Sequence, residues 1–182
     1  MDIYEAIEKR RTVRFFKKGA TEEQLRRIIL AGSKAPSAGN RQSWEFIMID
    51  DPKIIDQLAE IKYQLNRNFS PGPGETQKEV EDRALNQKKG FENSSVVAVC
   101  VRSEDLGTGW LAVENMSLAA VVEGLGSNII TYWDEAEKKV KKLLGLPKDY
   151  DLVCVLKFGV SRGEVSVPKR RPDYSWLHKN RF

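Results

Sequence analysis

Three segments of the sequence carry groups that can bind an anion or a flat polar ring, and the first is Arg10-Arg11-Thr12-Val13-Arg14. It places three guanidinium groups and a hydroxyl within five residues. Arginine offers paired N–H donors and keeps its charge at any working pH, so the segment suits a phosphate. A solvated basic turn is the alternative interpretation, because basic clusters are common on protein surfaces.

The second segment is a loop, residues 35–44. Pro36 and Gly39 favour a tight turn, while Ser37 and Asn40 offer a hydroxyl and an amide that can meet the polar edge of a planar heterocycle. An ordinary loop that leads into the next strand is the alternative interpretation.

The third segment is Lys169-Arg170-Arg171, which lies between Pro168 and Pro172. The two prolines hold the backbone extended, so three cations are displayed with little freedom to rearrange. A nuclear-import or nucleic-acid patch is the competing explanation, although the interleaved aromatic residues of a single-strand binding platform are absent.

Basic residues are concentrated in two stretches that are far apart in the sequence. The chain has 182 residues, with 30 Lys and Arg against 26 Asp and Glu, and its net charge of +4 alone does not argue for a nucleic-acid binder. Six of the ten residues from Lys9 to Lys18 are basic and none is acidic, and residues 166–182 contain five basic residues and one acid. The question is therefore which anion, if any, the two stretches share.

Several features of the sequence argue against other classes of protein. The acidic N-terminus, Met1–Glu5, lacks the apolar core of a secretory signal or a transit peptide, and the longest apolar stretch, Trp110–Leu125, is too short and too charged to cross a bilayer. Cys100 and Cys154 lie inside apolar runs and are expected to be small core residues, and His178 has no metal-ligating neighbour. We therefore expect a soluble cytoplasmic protein with no metal site and no membrane partner.

The pattern of apolar residues predicts a single domain, residues 1–182, in which helices and strands interleave. Helices are predicted over 2–9, 21–32, 52–61, 110–125 and 134–144, and strands over 44–50, 96–101, 127–132 and 152–159. The class is therefore α/β or α+β, with helices over a sheet. Residues 64–79 include Ser70-Pro71-Gly72-Pro73-Gly74, which favours neither a helix nor a central strand, and we expect them to form a mobile flap.

In this order, the three segments resemble the motifs of the nitroreductase family of FMN-dependent oxidoreductases. That family opens with a helix and an Arg-Arg/His-Ser-x-Arg/Lys segment, continues with a Pro-Ser-x-x-Asn-x-Gln-Pro-Trp loop and ends with Lys-x-Arg; the matching residues are Arg10–Arg14, Pro36–Trp44 and Lys169–Arg171. A fourth segment, Asn86-Gln87-Lys88-Lys89, is similar to the family's Asn-x-x-Lys before the corresponding strand. The resemblance spans nearly the whole chain.

The resemblance implies an α+β fold with a central, mostly antiparallel sheet flanked by helices, and a homodimer with FMN at the interface. It assigns the FMN phosphate, the ribityl chain and the pyrimidine side of the ring to Arg10, Arg11, Thr12, Arg14, Lys169 and Arg171. It also assigns the isoalloxazine surroundings to Pro36, Ser37, Asn40, Asn86 and Lys89. Some of these residues would serve the cofactor of the partner subunit, the helix 110–125 would join the dimer core, and residues 166–182 would form an arm over the neighbouring subunit.

The activity that the resemblance implies is reduction of a small acceptor, such as a nitroaromatic compound or a quinone, with NADH or NADPH as co-substrate. FMN carries the chemistry in a ping-pong reaction, so no dedicated catalytic side chain is expected. One alternative is a flavin enzyme of the same fold with other chemistry, such as reductive dehalogenation or flavin breakdown. The other is a non-enzymatic protein that binds nucleic acid or another polyanion. The enzyme, with no nucleic-acid partner, is favoured because a phosphate plus a planar ring explains both the basic segments and the loop.

One position and one segment depart from the family pattern. Ser43 stands where the family usually has proline, which is expected to loosen the loop without removing a ligand. Residues Ile130–Trp133 replace a turn that offers a backbone N–H to flavin N5, so Tyr132 or Trp133 is expected to shape the pocket differently.

Overall fold

The chain folds into six α-helices and five strands, and the computed structural model describes residues 1–182. In chain order the elements are α1 Ile3–Lys9, β1 Phe16–Gly19, α2 Glu22–Gly32, β2 Trp44–Ile49, α3 Pro52–Arg67, α4 Gln77–Lys89, β3 Ser95–Arg102, α5 Leu106–Val122, β4 Gly126–Ile130, α6 Asp134–Leu143 and β5 Tyr150–Ser161. A short 3-10 turn, Ala38–Asn40, lies in the loop before β2.

Side chains close in sequence fix the first turns of three helices. Asp2 and Glu5 form a reciprocal capping box at the start of α1, and Thr21 and Gln24 form another at α2. A third capping box begins α4 directly after the loop 68–76. Local sequence therefore determines where these helices start.

The five strands form one antiparallel sheet. The strand order is β1-β5-β3-β2, and β4 also pairs with β5. The long strand β5 thus contacts three other strands, and the mostly antiparallel sheet that the resemblance implied is confirmed. A parallel bridge between Thr12 and Ser127 attaches the segment after α1 to the start of β4.

Helices cover both faces of the sheet. On one face Val97 and Val99 of β3 belong to the same apolar cluster as Met116 of α5, and on the other Ala98 belongs to a cluster with Leu58 of α3. Because β3 is buried on both faces, its apolar run is continuous rather than alternating, as the sequence predicts.

Helix α5 is shifted from the predicted range 110–125. It starts earlier, at Leu106, and ends at Val122, shortly before Gly124, which adopts a left-handed backbone conformation with φ of 72°. The predicted flap 64–79 consists of the end of α3, the loop 68–76 and the start of α4. Residues 166–182 are exposed and contain neither helix nor strand. The mobility of the flap and the role of the arm stay predictions.

Membrane-spanning helices and metal-binding clusters are absent from the structure. No helix combines the length and the apolar character needed to cross a bilayer. No group of three or more His, Cys, Asp and Glu side chains has an arrangement that could bind a metal ion. Cys100 and Cys154 are both buried and free, as expected for core residues.

Candidate functional site

A cavity of about 750 Å³ opens between the helix pair α3–α4 and the sheet. Its wall combines the segment after α1, the helices α3 and α4, and the strands β4 and β5. The polar and aromatic side chains that line it include Thr12, Arg14, Lys62, Asn66, Asn86, Asn128, Trp133 and Lys157. The wall also carries the carboxylates of Glu79 and Asp82, and its four cations, Arg14, Lys62, Arg83 and Lys157, outnumber them. The size of this large cavity, its positive balance and its amides and rings therefore suit a flat ligand with negative charge.

A second cavity, of about 460 Å³, shares three lining residues with the large one. Thr12, Asn128 and Ile129 line both cavities, and the second adds Arg10 and Arg170. We refer to the two cavities together as the joint space. It suits a ligand that carries a ring at one end and an anion at the other.

Four of the predicted site residues meet in this joint space. Arg10, Thr12 and Arg14 lie on the segment that leaves α1, and Asn86 lies on α4. The backbone bridge between Thr12 and Ser127 holds that segment at the edge of the sheet. The sheet thereby brings the first and fourth motifs of the sequence to one place.

Arg11 lines neither cavity. Its guanidinium donates to the carbonyl oxygen of Glu8 and, across 2.8 Å, to that of Arg10. It therefore caps the end of α1, where a positive charge is favourable. Its predicted role in cofactor binding stays a prediction.

The predicted loop residues also lie away from both cavities. Pro36, Ser37 and Asn40 line neither of them. Ser37 Oγ accepts a hydrogen bond of 3.0 Å from the backbone N–H of Gln42, and Asn40 Oδ1 accepts one of 3.1 Å from the Gln42 amide. Gly39, Asn40 and Gln42 all adopt left-handed backbone conformations. Hydrogen bonds within the loop thus fix its conformation, and the loop does not contribute to either cavity of its own chain.

Lys89, Lys169 and Arg171 lie outside the two cavities as well. Lys89 lines a small cavity of about 70 Å³ together with Phe15, which also borders the large cavity. Lys169 and Arg171 are exposed in the C-terminal segment, and Arg170 between them lines the second cavity instead. The C-terminal motif therefore contributes Arg170 to the joint space, instead of the predicted Lys169 and Arg171.

Lys157 is the most buried charged residue of the cavity wall, and no motif in the sequence points to it. It is 1% exposed, and its ammonium donates a hydrogen bond of 2.7 Å to the carbonyl oxygen of Gly90. Burial, and then the positive charge of Arg14, lowers the pKa of Lys157 to about 7. The signal in the sequence is a single lysine inside the apolar run 152–159, since a charge in a central strand needs a partner.

Lys62 is a second buried cation of the cavity wall, contributed by α3. It is 5% exposed, and its ammonium donates a hydrogen bond of 2.8 Å to the carbonyl oxygen of Thr131 and lies 4.4 Å from the centroid of the Trp133 ring. Burial lowers the pKa of Lys62 to about 8. Neither Lys62 nor Lys157 pairs with a carboxylate. The signal in the sequence is the four-residue spacing from Leu58, which puts Lys62 on the apolar face of the helix.

Two stacked aromatic rings border the cavity next to Lys62. The rings of Phe69 and Trp133 have centroids 5.7 Å apart and planes within 4° of each other. Tyr132, by contrast, is buried, and its hydroxyl donates a hydrogen bond of 3.0 Å to the carbonyl oxygen of Leu58. Of the two aromatic residues expected to shape the pocket, Trp133 is the one that lines it.

Comparison with known proteins identifies the family of this chain. The model of the Nitroreductase family matches residues 7–160. The chain belongs to the nitroreductase family. The resemblance carried by the four sequence motifs is thereby confirmed.

Two relatives and one solved structure show what the chain is similar to. The chain is 28% identical over 164 residues to iodotyrosine deiodinase of Thermotoga neapolitana, a match that covers 86% of this chain and 87% of the relative. It is 28% identical over 193 residues to an NADPH-dependent oxidoreductase of Staphylococcus haemolyticus, over 98% of this chain and 73% of the relative. A crystal structure of oxidized iodotyrosine deiodinase bound to FMN and 3-iodo-L-tyrosine matches with a TM-score of 0.80 at 24% identity, over 100% of both chains. The last likeness shows the nitroreductase fold.

Ser43 replaces the proline that is usual in the nitroreductase family, and it anchors the loop. The residue is 6% exposed, and its hydroxyl donates to one carboxylate oxygen of Asp105, while Thr108 Oγ1 donates to the other across 2.7 Å. These hydrogen bonds, first that of Ser43 and then that of Thr108, lower the pKa of Asp105. The loop 35–44 is thus tied to the start of α5, and the expectation that Ser43 loosens it is wrong.

Proposed function

We propose that the protein is an FMN-dependent oxidoreductase that takes electrons from NADH or NADPH and passes them to a small acceptor such as a nitroaromatic compound or a quinone. The observation that carries the proposal is the joint space. Lys157 and the amides of Asn86 and Asn128 border room for a flat ring, and Arg10 and Arg170 line the adjoining cavity. Membership of the nitroreductase family, whose members are flavin oxidoreductases, supports the class of enzyme. The relative named as an NADPH-dependent oxidoreductase supports a nicotinamide donor.

The charges around the joint space fit FMN. Its phosphate carries about two negative charges near neutral pH, which suits the pocket lined by Arg10 and Arg170. Lys157 is buried without a carboxylate partner, so a negative group in the large cavity would offset the cost of burying it. Two basic stretches that are distant in sequence would then serve one anion.

The site residues would divide the work of binding between them. Arg10, Thr12 and Arg14 would hold the phosphate and the ribityl chain, and Asn86 would hydrogen-bond the polar edge of the ring. We add Lys157 as the cation that contacts the pyrimidine side of the ring. It is buried beside Arg14, and only one of its three N–H groups is used, in the hydrogen bond to Gly90. Contacts to the same cofactor by Arg11, Lys89, Lys169 and Arg171 remain part of the proposal.

We infer that a homodimer completes the site. Ile3, Tyr4 and Ile7 on α1 and Trp110 on α5 are large apolar side chains that remain exposed in the single chain. Ile7 also lines the second cavity, so the joint space borders this apolar face. Pro36, Ser37 and Asn40, which line neither cavity of their own chain, would then be available to the cofactor of the partner subunit.

The chain's own residues would contribute position and electrostatics to the reaction. FMN, when bound, would supply the electron and hydride transfer itself. Lys157 and Arg14 would stabilise the negative charge that reduction places on the ring. The rings of Phe69 and Trp133 would restrict the entry of water. A reaction of this kind requires no side-chain acid or base. We also predict that the protein is cytoplasmic.

The direct test is spectroscopic. The purified protein is expected to be yellow, to release FMN on denaturation and to bleach without oxygen on addition of NADH or NADPH, tested separately. Replacing Arg10 or Arg171 by alanine is expected to lower flavin occupancy, whereas the exposed Lys53→Met is the matched control. A protein that neither contains nor takes up FMN would refute the proposal and favour the polyanion-binding alternative, which predicts salt-dependent binding instead.

Reductive dehalogenation is the second candidate. The match to a deiodinase over most of both chains favours it specifically. It would use the same cofactor residues, so only the product separates the two candidates. Iodide release from 3-iodo-L-tyrosine by the reduced protein, compared with the loss of a nitroaromatic substrate under the same conditions, decides between them.

A further inference from the structure

Two polar side chains on one face of α3 border the large cavity without full partners. Lys62 and Asn66 are four residues apart, are 5% and 7% exposed, and both line the cavity. The Asn66 amide group donates to Gln87 Oε1, which fixes its orientation. Asn66 Oδ1 is the one buried side-chain polar atom in the structure that has no hydrogen-bond partner. A buried oxygen of this kind normally accepts a hydrogen bond, and the chain itself supplies no donor for it.

The ammonium of Lys62 is likewise only partly satisfied. It has three N–H donors, and the one hydrogen bond recorded for it goes to the carbonyl oxygen of Thr131. The other charged groups that line the cavity are Arg14, Glu79, Asp82, Arg83 and Lys157, and none of them forms an ion pair with Lys62. A buried cation without an anion is costly, and an anionic ligand would remove that cost.

An aromatic wall lies directly beside this cation. The Lys62 ammonium is 4.4 Å from the centroid of the Trp133 ring, which stacks on Phe69. A flat ligand can extend this stack while its anionic group meets the ammonium. The three features together define one pocket for an aromatic anion.

We propose that Lys62 and Asn66 form the subsite that recognises the electron acceptor, and that it selects flat aromatic acceptors bearing both a carboxylate and a hydrogen-bond donor on the ring. Lys62 binds the carboxylate, Asn66 Oδ1 accepts a hydrogen bond from a ring amino or hydroxyl group, and the ring packs against Trp133. This inference rests on the proposed function, since it names the substrate class of the same site. Lys62 and Asn66 are specificity residues here, and the electron transfer does not depend on them.

The first test measures binding rather than turnover. Benzoate and benzamide have the same shape but differ in charge, and calorimetry on the purified protein gives the dissociation constant of each. Lys62→Met is expected to weaken benzoate binding about ten-fold or more, which corresponds to about 1.4 kcal/mol, and to leave benzamide within about two-fold. Lys62→Arg is expected to restore most of the benzoate affinity, and Lys53→Met, an exposed lysine at the start of the same helix, is the matched control.

The pH profile provides a readout that a structural role of Lys62 would not produce. Benzoate stays ionised above about pH 6, and Lys157 loses its charge near pH 7 in the native protein and in Lys62→Met alike, so the readout is the ratio of their benzoate affinities. This ratio is expected to be constant below about pH 7 and to fall towards one above about pH 8 as Lys62 loses its proton. The corresponding ratio for benzamide is expected to stay near one over the whole range.

Asn66 is tested with 3-aminobenzoate against benzoate. The amino group adds a donor, so the native protein is expected to prefer 3-aminobenzoate by about five-fold, within the range of one net hydrogen bond. Asn66→Leu is expected to abolish this preference, while Asn66→Asp, which keeps the acceptor, retains it. In turnover, Lys62→Met is expected to raise the KM for 4-nitrobenzoate and to leave that for nitrobenzene and both kcat values nearly unchanged.

The outcomes separate this inference from the proposed function. Equal benzoate affinities of the native protein and Lys62→Met would overturn the subsite, whatever the flavin content. Loss of FMN binding in Lys62→Met with unchanged benzoate selectivity would assign Lys62 to the cofactor and would also overturn it. A colourless protein that binds benzoate through Lys62 would overturn the flavin enzyme and leave the subsite standing.

Discussion

The ammonium of Lys157 and the carbonyl oxygen of Gly90 are 2.7 Å apart and join the middle of β5 to the end of α4. A Cβ atom at Gly90 would lie 2.6 Å from the carbonyl oxygen of Arg14 and 2.8 Å from the Lys157 ammonium. Three separate parts of the chain therefore meet at a point that has no room for a side chain. This point sets where Arg14 and Lys157, two cations of the large cavity, stand relative to each other.

Gly90→Ala tests this convergence. The added methyl group is expected to push the Arg14 backbone or the Lys157 ammonium away and to weaken FMN binding about ten-fold, equivalent to about 1.4 kcal/mol. Equilibrium dialysis or fluorescence titration with FMN measures the change. Gly107→Ala is the matched control, because a Cβ atom there meets nothing within 4 Å. Equal FMN affinities of the two variants would contradict the prediction.

The stability of the flavin-free protein is expected to rise with pH because of Lys157. Its pKa is about 7 in the folded chain against an ordinary 10.5, so between these values the unfolded chain binds the additional proton. Unfolding then becomes less favourable as the pH increases, by at most about 1.4 kcal/mol per pH unit, and below about pH 7 the full destabilisation is present. Urea unfolding from pH 6 to pH 9 is expected to show Lys157→Met more stable than the native chain at the acidic end, with a smaller slope.

Binding of FMN is expected to respond to pH in the opposite direction. The negative cofactor favours the protonated form of Lys157, so the affinity of the native protein for FMN is expected to fall as the pH rises through about 7. Lys157→Met is expected to bind FMN more weakly at pH 6 and to show a flatter dependence on pH. A parallel pH dependence in both proteins would show that Lys157 does not face the cofactor.

The sequence predicts the framework of this molecule better than its site. The capping boxes at Asp2 and Thr21 and the continuous apolar run of β3 depend on neighbouring residues, so local patterns are sufficient to locate them. Lys62 and Lys157 became identifiable only in three dimensions, because a lysine on an apolar face does not reveal which cavity it borders. Arg11 is the opposite case, a residue that the motif predicts for the site but that lines neither cavity. The motif does not tell which of two adjacent arginines folds back onto its own helix.

Ser43→Ala is expected to destabilise the protein and to weaken flavin binding. The substitution removes one of the two hydroxyl groups that satisfy the buried Asp105 carboxylate and frees the loop 35–44 from α5. A melting temperature lowered by a few degrees, together with a raised dissociation constant for FMN, is the expected result. Ser175→Ala is the control, since Ser175 is exposed in the C-terminal segment. Unchanged flavin affinity with reduced stability would separate the loop from the cofactor.

Tyr4→Glu tests the proposed dimer. Tyr4 is 80% exposed in the single chain, so a charge there cannot disturb the fold of one subunit, but it would be buried without a partner in an interface formed by α1 and α5. Light scattering after gel filtration is expected to find a dimer for the native protein and a monomer for Tyr4→Glu, with an unchanged far-UV circular dichroism spectrum. Met48→Glu, at an exposed apolar position on β2, is the control and is expected to stay dimeric.

The flavin content of the same variant extends the test to the site. If Pro36, Ser37 and Asn40 contact the cofactor of the partner subunit, the Tyr4→Glu monomer loses those contacts although every residue of its own joint space is intact. FMN affinity is therefore expected to fall about ten-fold or more on dissociation of the dimer. A monomer that retains full FMN affinity would mean that the loop 35–44 serves neither subunit's cofactor, and that Arg10, Thr12, Arg14 and Lys157 are sufficient to hold it.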